Sequence, residues 1–484
     1  MANPLLDRRA FLTGLGVGAG WLAARGLGAP PSSPVAPGEP APFAETLRAL
    51  AATLSPLQRA QLVLPADHPS RQIDNTIAVL DRPHLGTLLR PAQRDLVAEL
   101  ARGMLSPRGR EAFAGTFAVE GRFDGCVLAL YGEPESGAAH AVLSGGHVLL
   151  RGGGTPGATA FGGGVAWGHQ IGNHRWRVEG NSFAFQGEAA NHLYAALEPA
   201  ERERAVQAAP PHELVLQPQG SGGRFPGVAL GSLGDAGREA AAALLDALLA
   251  PFAEPDARDV RACLDAQGGP EALRFACFAS HGFYEDLARY GELAQDERAR
   301  RGDPYWQVWR LEGPGAVVHF QGYPHVHAYL HVARDPARAN VGAPLGHTKA
   351  GLEGEPLRGL LEAALRRATG ESLAWHSPEL PGRFCPGEVT EGLAFALDPY
   401  GNRVAVATID ARAMAEPLRE RLAAAGAAPE PGQRYRVATT NYFASRADQF
   451  GTPERVDTAP LYLREALVAH LRADPTALDS RATS

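Results

Sequence analysis

The sequence predicts an α+β protein, with a helical and β-rich N-terminal domain followed by a smaller α+β C-terminal domain. Three observations carry this. Helix-like and strand-like stretches segregate without a βαβ rhythm. A Gly-rich stretch of short apolar runs fills the middle of the first half. Near residue 346 the pattern changes to an amphipathic helix followed by alternating strands. At 484 residues the chain exceeds one ordinary domain, and a prior of roughly 150 residues per domain suggests two or three. An apolar content of 45% with 20% charged residues is that of a chain able to bury a core. The net charge of −7 argues against a nucleic-acid binder, which would carry a basic face.

The expected order begins with a signal. Asp7-Arg8-Arg9-Ala10-Phe11-Leu12 has the twin-arginine form, and the Gly-rich Leu12–Leu27 run is too weakly apolar for a comfortable span. Residues 1–29 therefore read as a twin-arginine signal peptide and 30–43 as a Pro-rich linker, which predicts a periplasmic or secreted protein. No later stretch is apolar enough to span a membrane, so no transmembrane segment is expected in the mature protein. Residues 44–345 form the first expected domain and 346–475 the second. Residues 476–484 read as a disordered tail. Cys126, Cys263, Cys277 and Cys385 allow three pairings in an oxidising compartment, or stand as buried free thiols.

Within the first domain, three helix starts share a pattern: Leu54-Ser-Pro-Leu-Gln-Arg59, Leu89-Arg-Pro-Ala-Gln-Arg94 and Leu197-Glu-Pro-Ala-Glu-Arg202. Proline suits the first helical position because its missing N–H would be unpaired there. Strands are expected at Cys126–Tyr131, Ala141–Ser144 and His147–Arg151, the last two joined by a turn at Gly145-Gly146. Gly152–Trp167 reads as a small-residue loop, Glu188–Val206 as one helix and Ala236–Phe252 as the clearest helix. Trp306–Leu311 and Val317–Gln321 are strands split by Gly313-Pro314-Gly315. In the second domain, helices are expected at Pro356–Ala368, Ala415–Ala425 and Leu461–Arg472. Strands are expected at Gly392–Leu397, Arg403–Ile409 and Tyr435–Phe443.

The histidines draw the functional reading. His319, His325, His327 and His331 fall within thirteen residues, and residues two apart on a strand share a face. Neutral imidazole is a common ligand of borderline metals. The candidate ligands are His147, His169, His174, His325 and His327, for zinc, iron or copper. The glycines form neither a phosphate loop nor a dinucleotide fingerprint. Gly231-Ser232-Leu233 lacks a nucleophile elbow.

Two resemblances complete the reading. LSPLQRA, LRPAQRDLV, Tyr131-Gly-Glu-Pro134, Ser144-Gly-Gly-His147, PYWQVWRLEGPG and HVHAYLHVARDP occur in this order over residues of about 45–345. That span resembles the bacterial domain-of-unknown-function family 3500. It departs from that pattern at Gly146, where a second histidine is usual, and at His319, where an acid is common. The family has no assigned reaction, so the resemblance implies domain limits and candidate positions only. Residues of about 346–470 resemble the C-terminal domain of 5′-nucleotidases through Gly382-Arg-Phe384, Gly392-Leu-Ala-Phe-Ala-Leu-Asp398 and Tyr435-Arg-Val-Ala-Thr-Thr-Asn-Tyr-Phe-Ala444. This resemblance implies that Phe384 and Tyr442 stack on a base and that Asp448 holds a ribose. Base stacking is worth roughly 1–3 kcal/mol. Arg446-Ala447 replaces the usual Gly-Gly.

The resulting expectation is an exported protein of unknown activity with a His-lined pocket, a metal-dependent hydrolase or oxidoreductase acting on a small molecule. One alternative is a non-catalytic protein that binds a nucleoside-like ligand. The other is a metallophosphoesterase, read from Gly172-Asn173-His174 and Pro324-His325-Val326-His327. Against it, Asp67-His68 and Asp81–His84 have the wrong spacing for bridging carboxylates, and Arg175 follows His174.

Overall fold

The computed structural model describes residues 42–74, 82–119, 123–154, 157–169, 182–213, 215–279, 306–322, 326–378 and 382–479, without the side chains of 118, 119 and 169. The signal segment, most of the linker, the tail beyond 479, His174 and His325 lie outside the described residues.

The architecture is α+β, built on one large mixed sheet. Its strands are β1 (Val63–Leu64), β2 (Val127–Tyr131), β3 (His140–Gly145), β4 (Val148–Gly153), β5 (Val165–His169), β6 (Val206–Gln207), β7 (Val228–Ala229), β8 (Arg274–Phe278), β9 (Val308–Gly313), β10 (Ala316–Gln321) and β11 (Val326–Val332). The order is β1-β2-β3-β4-β5-β11-β10-β9-β8-β6, with β7 beside β8. β2 to β5 and β8 to β11 pair antiparallel, whereas β1–β2 and β6–β8 are parallel.

Strict alternation sends successive residues to two different cores. Leu128, Leu130, Val148, Leu150, Val165 and Trp167 face a helical layer that includes the helices Pro91–Gly103 and Asp235–Leu249. Val127, Ala129, Tyr131, Leu149, Ala166, Val317 and Tyr329 face the C-terminal part and share one core with Leu357, Leu361, Phe384, Leu467 and Leu471. Both faces are therefore covered, which explains why these strands read as near-continuous apolar runs. The C-terminal layer holds β12 (Pro344–Thr348) with β14 (Gly387–Thr390), and a sheet ordered β13 (Leu373–Ala374), β16 (Arg434–Thr440), β15 (Arg403–Asp410) and β17 (Arg455–Tyr462). The helices Gly354–Thr369 and Leu463–Ala473 pack into the shared core.

Several local expectations change. The single helix expected over Glu188–Val206 is two helices, Ala184–Ala196 and Pro199–Ala205, because Pro199 starts a new one. Gly392–Leu397 is helical rather than extended. Thr390 caps the helix Glu391–Leu397, accepting from the Leu393 N–H. The expected loop Gly152–Trp167 ends in β5. All four cysteines are free, with Cys126, Cys263 and Cys277 buried. No helix of the described residues is long and apolar enough to cross a membrane.

Candidate functional site

The sheet face turned toward the C-terminal layer carries an unusual number of buried polar side chains. Alternation lays them out in rows. Gln321 and His327 are Cα partners on β10 and β11, and Gly168 of β5 is the next partner of His327. Arg310, His319, Tyr329 and Ala166 form the adjacent row across β9, β10, β11 and β5. Both histidine rows therefore share one face of β10 and β11.

His147 lies in the turn entering β4, on the far side of β5 from His327. Glycine at position 168 leaves no side chain between them. The two imidazoles meet across it, with Nε2 to Nε2 at 3.0 Å and ring centroids at 4.9 Å. On its other nitrogen, His327 Nδ1 lies 2.7 Å from Glu213 Oε2. The His327 and Glu213 side chains are 12% and 14% exposed, so the group sits at the edge of the layer within reach of solvent. Burial pushes the Glu213 carboxyl upward, but the hydrogen bond of His327, and its charge when that ring is protonated, outweigh this and hold it at about 2. When His327 is neutral, an ionised Glu213 keeps its proton on Nδ1 and leaves Nε2 turned to His147.

In the adjacent row the Arg310 Nε–H donates to His319 Nδ1 at 3.0 Å. Burial, then the Arg310 charge, keeps His319 neutral by lowering its pKa well below the ordinary value. Arg310 also donates to the Val215 carbonyl at 2.8 Å, tying the loop that carries Glu213 to the sheet.

A second carboxylate–imidazole pair lies four residues further along β11. Asp74 Oδ2 is 2.9 Å from His331 Nδ1, while Asp74 Oδ1 accepts the Gly164 N–H at 2.9 Å and lies 3.3 Å from Arg151. Both side chains of the Asp74–His331 pair are 2% exposed. Burial pushes Asp74 upward, and His331, Arg151 and the Gly164 N–H together bring it below its usual value. Gly164 repeats the device at Gly168. A Cβ there would lie 2.8 Å from Asp74 Cβ and Cγ.

Of the expected ligands, His147 and His327 come together. His169 ends β5 opposite Val326, and its side chain, with His174 and His325, lies outside the described residues. Among the described residues no group of three or more His, Cys, Asp or Glu side chains is placed to hold an ion. Glu213 does not stand out in the sequence. Its one signal is a polar His212-Glu213 pair inside the Pro-rich stretch Ala209–Pro226. Arg334, at the end of the histidine-dense stretch, pairs with Asp259 at 3.0 Å.

The three residues implied by the nucleotidase resemblance are placed apart from this centre. Phe384 is 2% exposed in the shared core and bridges Leu352. Tyr442 packs on Phe443 at 5.1 Å and accepts from Arg446 at 2.9 Å. Asp448 is held by the same Arg446 through two hydrogen bonds of 2.9 and 2.8 Å. The arginine that replaces glycine thus occupies the carboxylate implied to hold a ribose.

No protein-family model matches this chain, and a search of curated proteins finds no match. Solved structures do match. A 5′-nucleotidase precursor from Thermus thermophilus is 13% identical with a TM-score of 0.23, over 35% of this chain and 47% of that one. A putative 5′-nucleotidase from Staphylococcus aureus, solved with alpha-ketoglutarate, is 10% identical with a TM-score of 0.19, over 35% and 48%. The chain spans about half the length of these nucleotidases. Likeness at this level assigns no activity.

Proposed function

We propose that this chain is a metal-dependent enzyme acting on a small molecule, with His147 and His327 as two ligands of one divalent transition ion. The observation that carries this is the pair of ε nitrogens facing each other at 3.0 Å. Metal–imidazole bonds are about 2.0–2.1 Å. Two such ligands of one ion lie about 2.9 Å apart at a right angle and about 3.3 Å apart at the tetrahedral angle. The spacing falls between the two.

A shared proton gives a similar distance, since an N–H···N contact also spans about 3 Å. The surroundings favour the ion. Glu213 accepts from the outer nitrogen of His327, the arrangement that orients a ligating imidazole and raises its basicity. Catalytic zinc sites use three protein ligands and keep one position open; two are present among the described residues. A bound ion of this kind lowers the pKa of water to near 7 or polarises a substrate oxygen. The residues of this chain hold and orient. His147 and His327 supply lone pairs, Glu213 keeps the His327 proton on Nδ1, and Tyr329 packs edge-on against His327 at 6.4 Å. Zinc would point to hydrolysis and iron or copper to redox chemistry.

Cobalt substitution tests the proposal. Co(II) bound through two imidazoles gives visible d–d absorption that saturates with added ion. His147→Ala and His327→Ala should each abolish that saturation while leaving the far-UV circular dichroism unchanged. A saturable spectrum that persists in both variants rules the ligand pair out.

A further inference from the structure

Beside His327 the sheet face presents more hydrogen-bond donors than the described residues supply acceptors for. His319 and Gln321 are 1% and 3% exposed. Because His319 Nδ1 accepts from Arg310, its ring proton sits on Nε2. Among the described residues that buried Nε2 has no partner, and neither do the Gln321 amide nitrogen and Arg310 Nη1. Glu312 Oε2 lies 3.5 Å from Arg310 Nη1, too far to satisfy it. The other oxygen, Glu312 Oε1, already accepts from Gln219 at 2.7 Å.

The C-terminal layer brings a second guanidinium into the neighbourhood of Arg310. Arg383 is close enough for its charge to disfavour protonated Arg310, and Arg383 Nε is also buried without a partner among the described residues. The carboxylate of Glu353 is 3.9 Å away and 76% exposed. Buried N–H groups left unpaired cost free energy comparable to the hydrogen bond forgone. Glu312 outweighs the repulsion of Arg383 at Arg310, yet leaves Arg310 Nη1 without a close acceptor. Arg310, His319 and Gln321 thus leave three buried donor atoms on one sheet face without a partner among the described residues, with the Arg383 guanidinium near enough to Arg310 for their charges to interact.

We propose that His319, Gln321, Arg310 and Arg383 form an anion subsite that holds a carboxylate or phosphate group of the substrate beside the His147–His327 centre. The subsite rests on the metal reading only for which molecule it serves. The donor surplus stands without the ion.

Calorimetric titration of the full chain, stripped with a chelator and separately metal-loaded, tests this with inorganic phosphate and with succinate as probes. The stripped wild type should bind at least one of them saturably. Phosphate alone would assign phosphate esters, and succinate alone would assign carboxylates. Arg383→Ala removes a part-buried side chain outside the large sheet and should weaken binding ten- to hundredfold, the scale of a lost hydrogen bond to a charged group. Gln321→Leu keeps the volume and should weaken binding about tenfold. Cobalt binding should be unchanged in both variants. Absence of saturable binding by the wild type in either form overturns the subsite. So does unaltered affinity in both variants when urea unfolding shows them folded. Anion binding by a protein that takes up no metal ion in the metal-loaded arm overturns the metal reading and leaves the subsite standing.

Discussion

Replacing Glu213 separates what its charge does from what its position does. In the folded protein Oε2 lies 2.7 Å from His327 Nδ1 in a part-buried setting. Glu213→Gln keeps an acceptor for Nδ1–H but removes the charge. Glu213→Ala removes both and frees the His327 ring. Loss of an outer partner of a ligating histidine typically costs tenfold to a hundredfold in metal affinity. The alanine variant should therefore lose about a hundredfold and the glutamine variant about tenfold. Competition with a chromophoric chelator at neutral pH reads both. The same substitutions carry a stability signature. The folded-state carboxyl is held at about 2 against an ordinary value of 4.5. Its contribution is complete above pH 4.5 and is lost as pH falls toward 2. A shift of this size corresponds to roughly 3 kcal/mol at the upper bound. Urea unfolding at pH 6 and pH 3 should show a smaller pH dependence in Glu213→Gln than in the wild type. Metal affinity within threefold of wild type in Glu213→Ala would show that Glu213 does not orient His327 for an ion.

Other outcomes follow from the same geometry. A Cβ at Gly168 would lie 1.9 Å from the Val326 carbonyl oxygen. Gly168→Ala should therefore cost about 3 kcal/mol in urea unfolding and abolish cobalt binding by moving β5 from β11. Asp74→Ala leaves Arg151 and His331 buried without their carboxylate and should destabilise by about 3–5 kcal/mol. His319, His140 and His376 all have folded pKa values below the ordinary 6.5, with His140 at about 3 and His376 at about 4. The unfolded chain takes up protons that the folded one refuses. Each group should thus remove about 1.4 kcal/mol of stability per pH unit as pH falls below 6.5. Denaturation midpoints measured from pH 8 to pH 5 check this. Adenosine titration of the wild type should not saturate below about 1 mM, because Phe384 is buried and Asp448 is closed by Arg446. Saturable binding would reverse that reading.

Much of the frame is legible in local sequence. Ser55 and the prolines at 56, 91 and 199 start helices where expected, because capping and first-turn chemistry are local. The strands around Trp309 and Val318 stand out through their glycine–proline turn. The Gly392–Leu397 run misleads because six apolar or small residues fit a buried strand and a buried helix equally. Only the Thr390 cap tells them apart. The candidate site is half legible. His327 signals itself in a histidine-dense strand, and His147 follows a conspicuous double glycine. Glu213 does not, since it lies in an irregular Pro-rich segment 114 residues from the histidine it orients. Nor do Arg310 and Gln321, whose meaning depends on strand register. A one-residue slip would send them to the other face.

Metal analysis of the purified full chain tests the central claim most directly. Elemental analysis after buffer exchange, run beside the His147→Ala/His327→Ala double variant, counts the ion without assuming a reaction. About one equivalent of zinc, iron or copper is expected in the wild type and less than about a tenth of that in the double variant. Wild-type protein holding less than about 0.2 equivalents after incubation with each ion, or a double variant that retains its full complement, would contradict it.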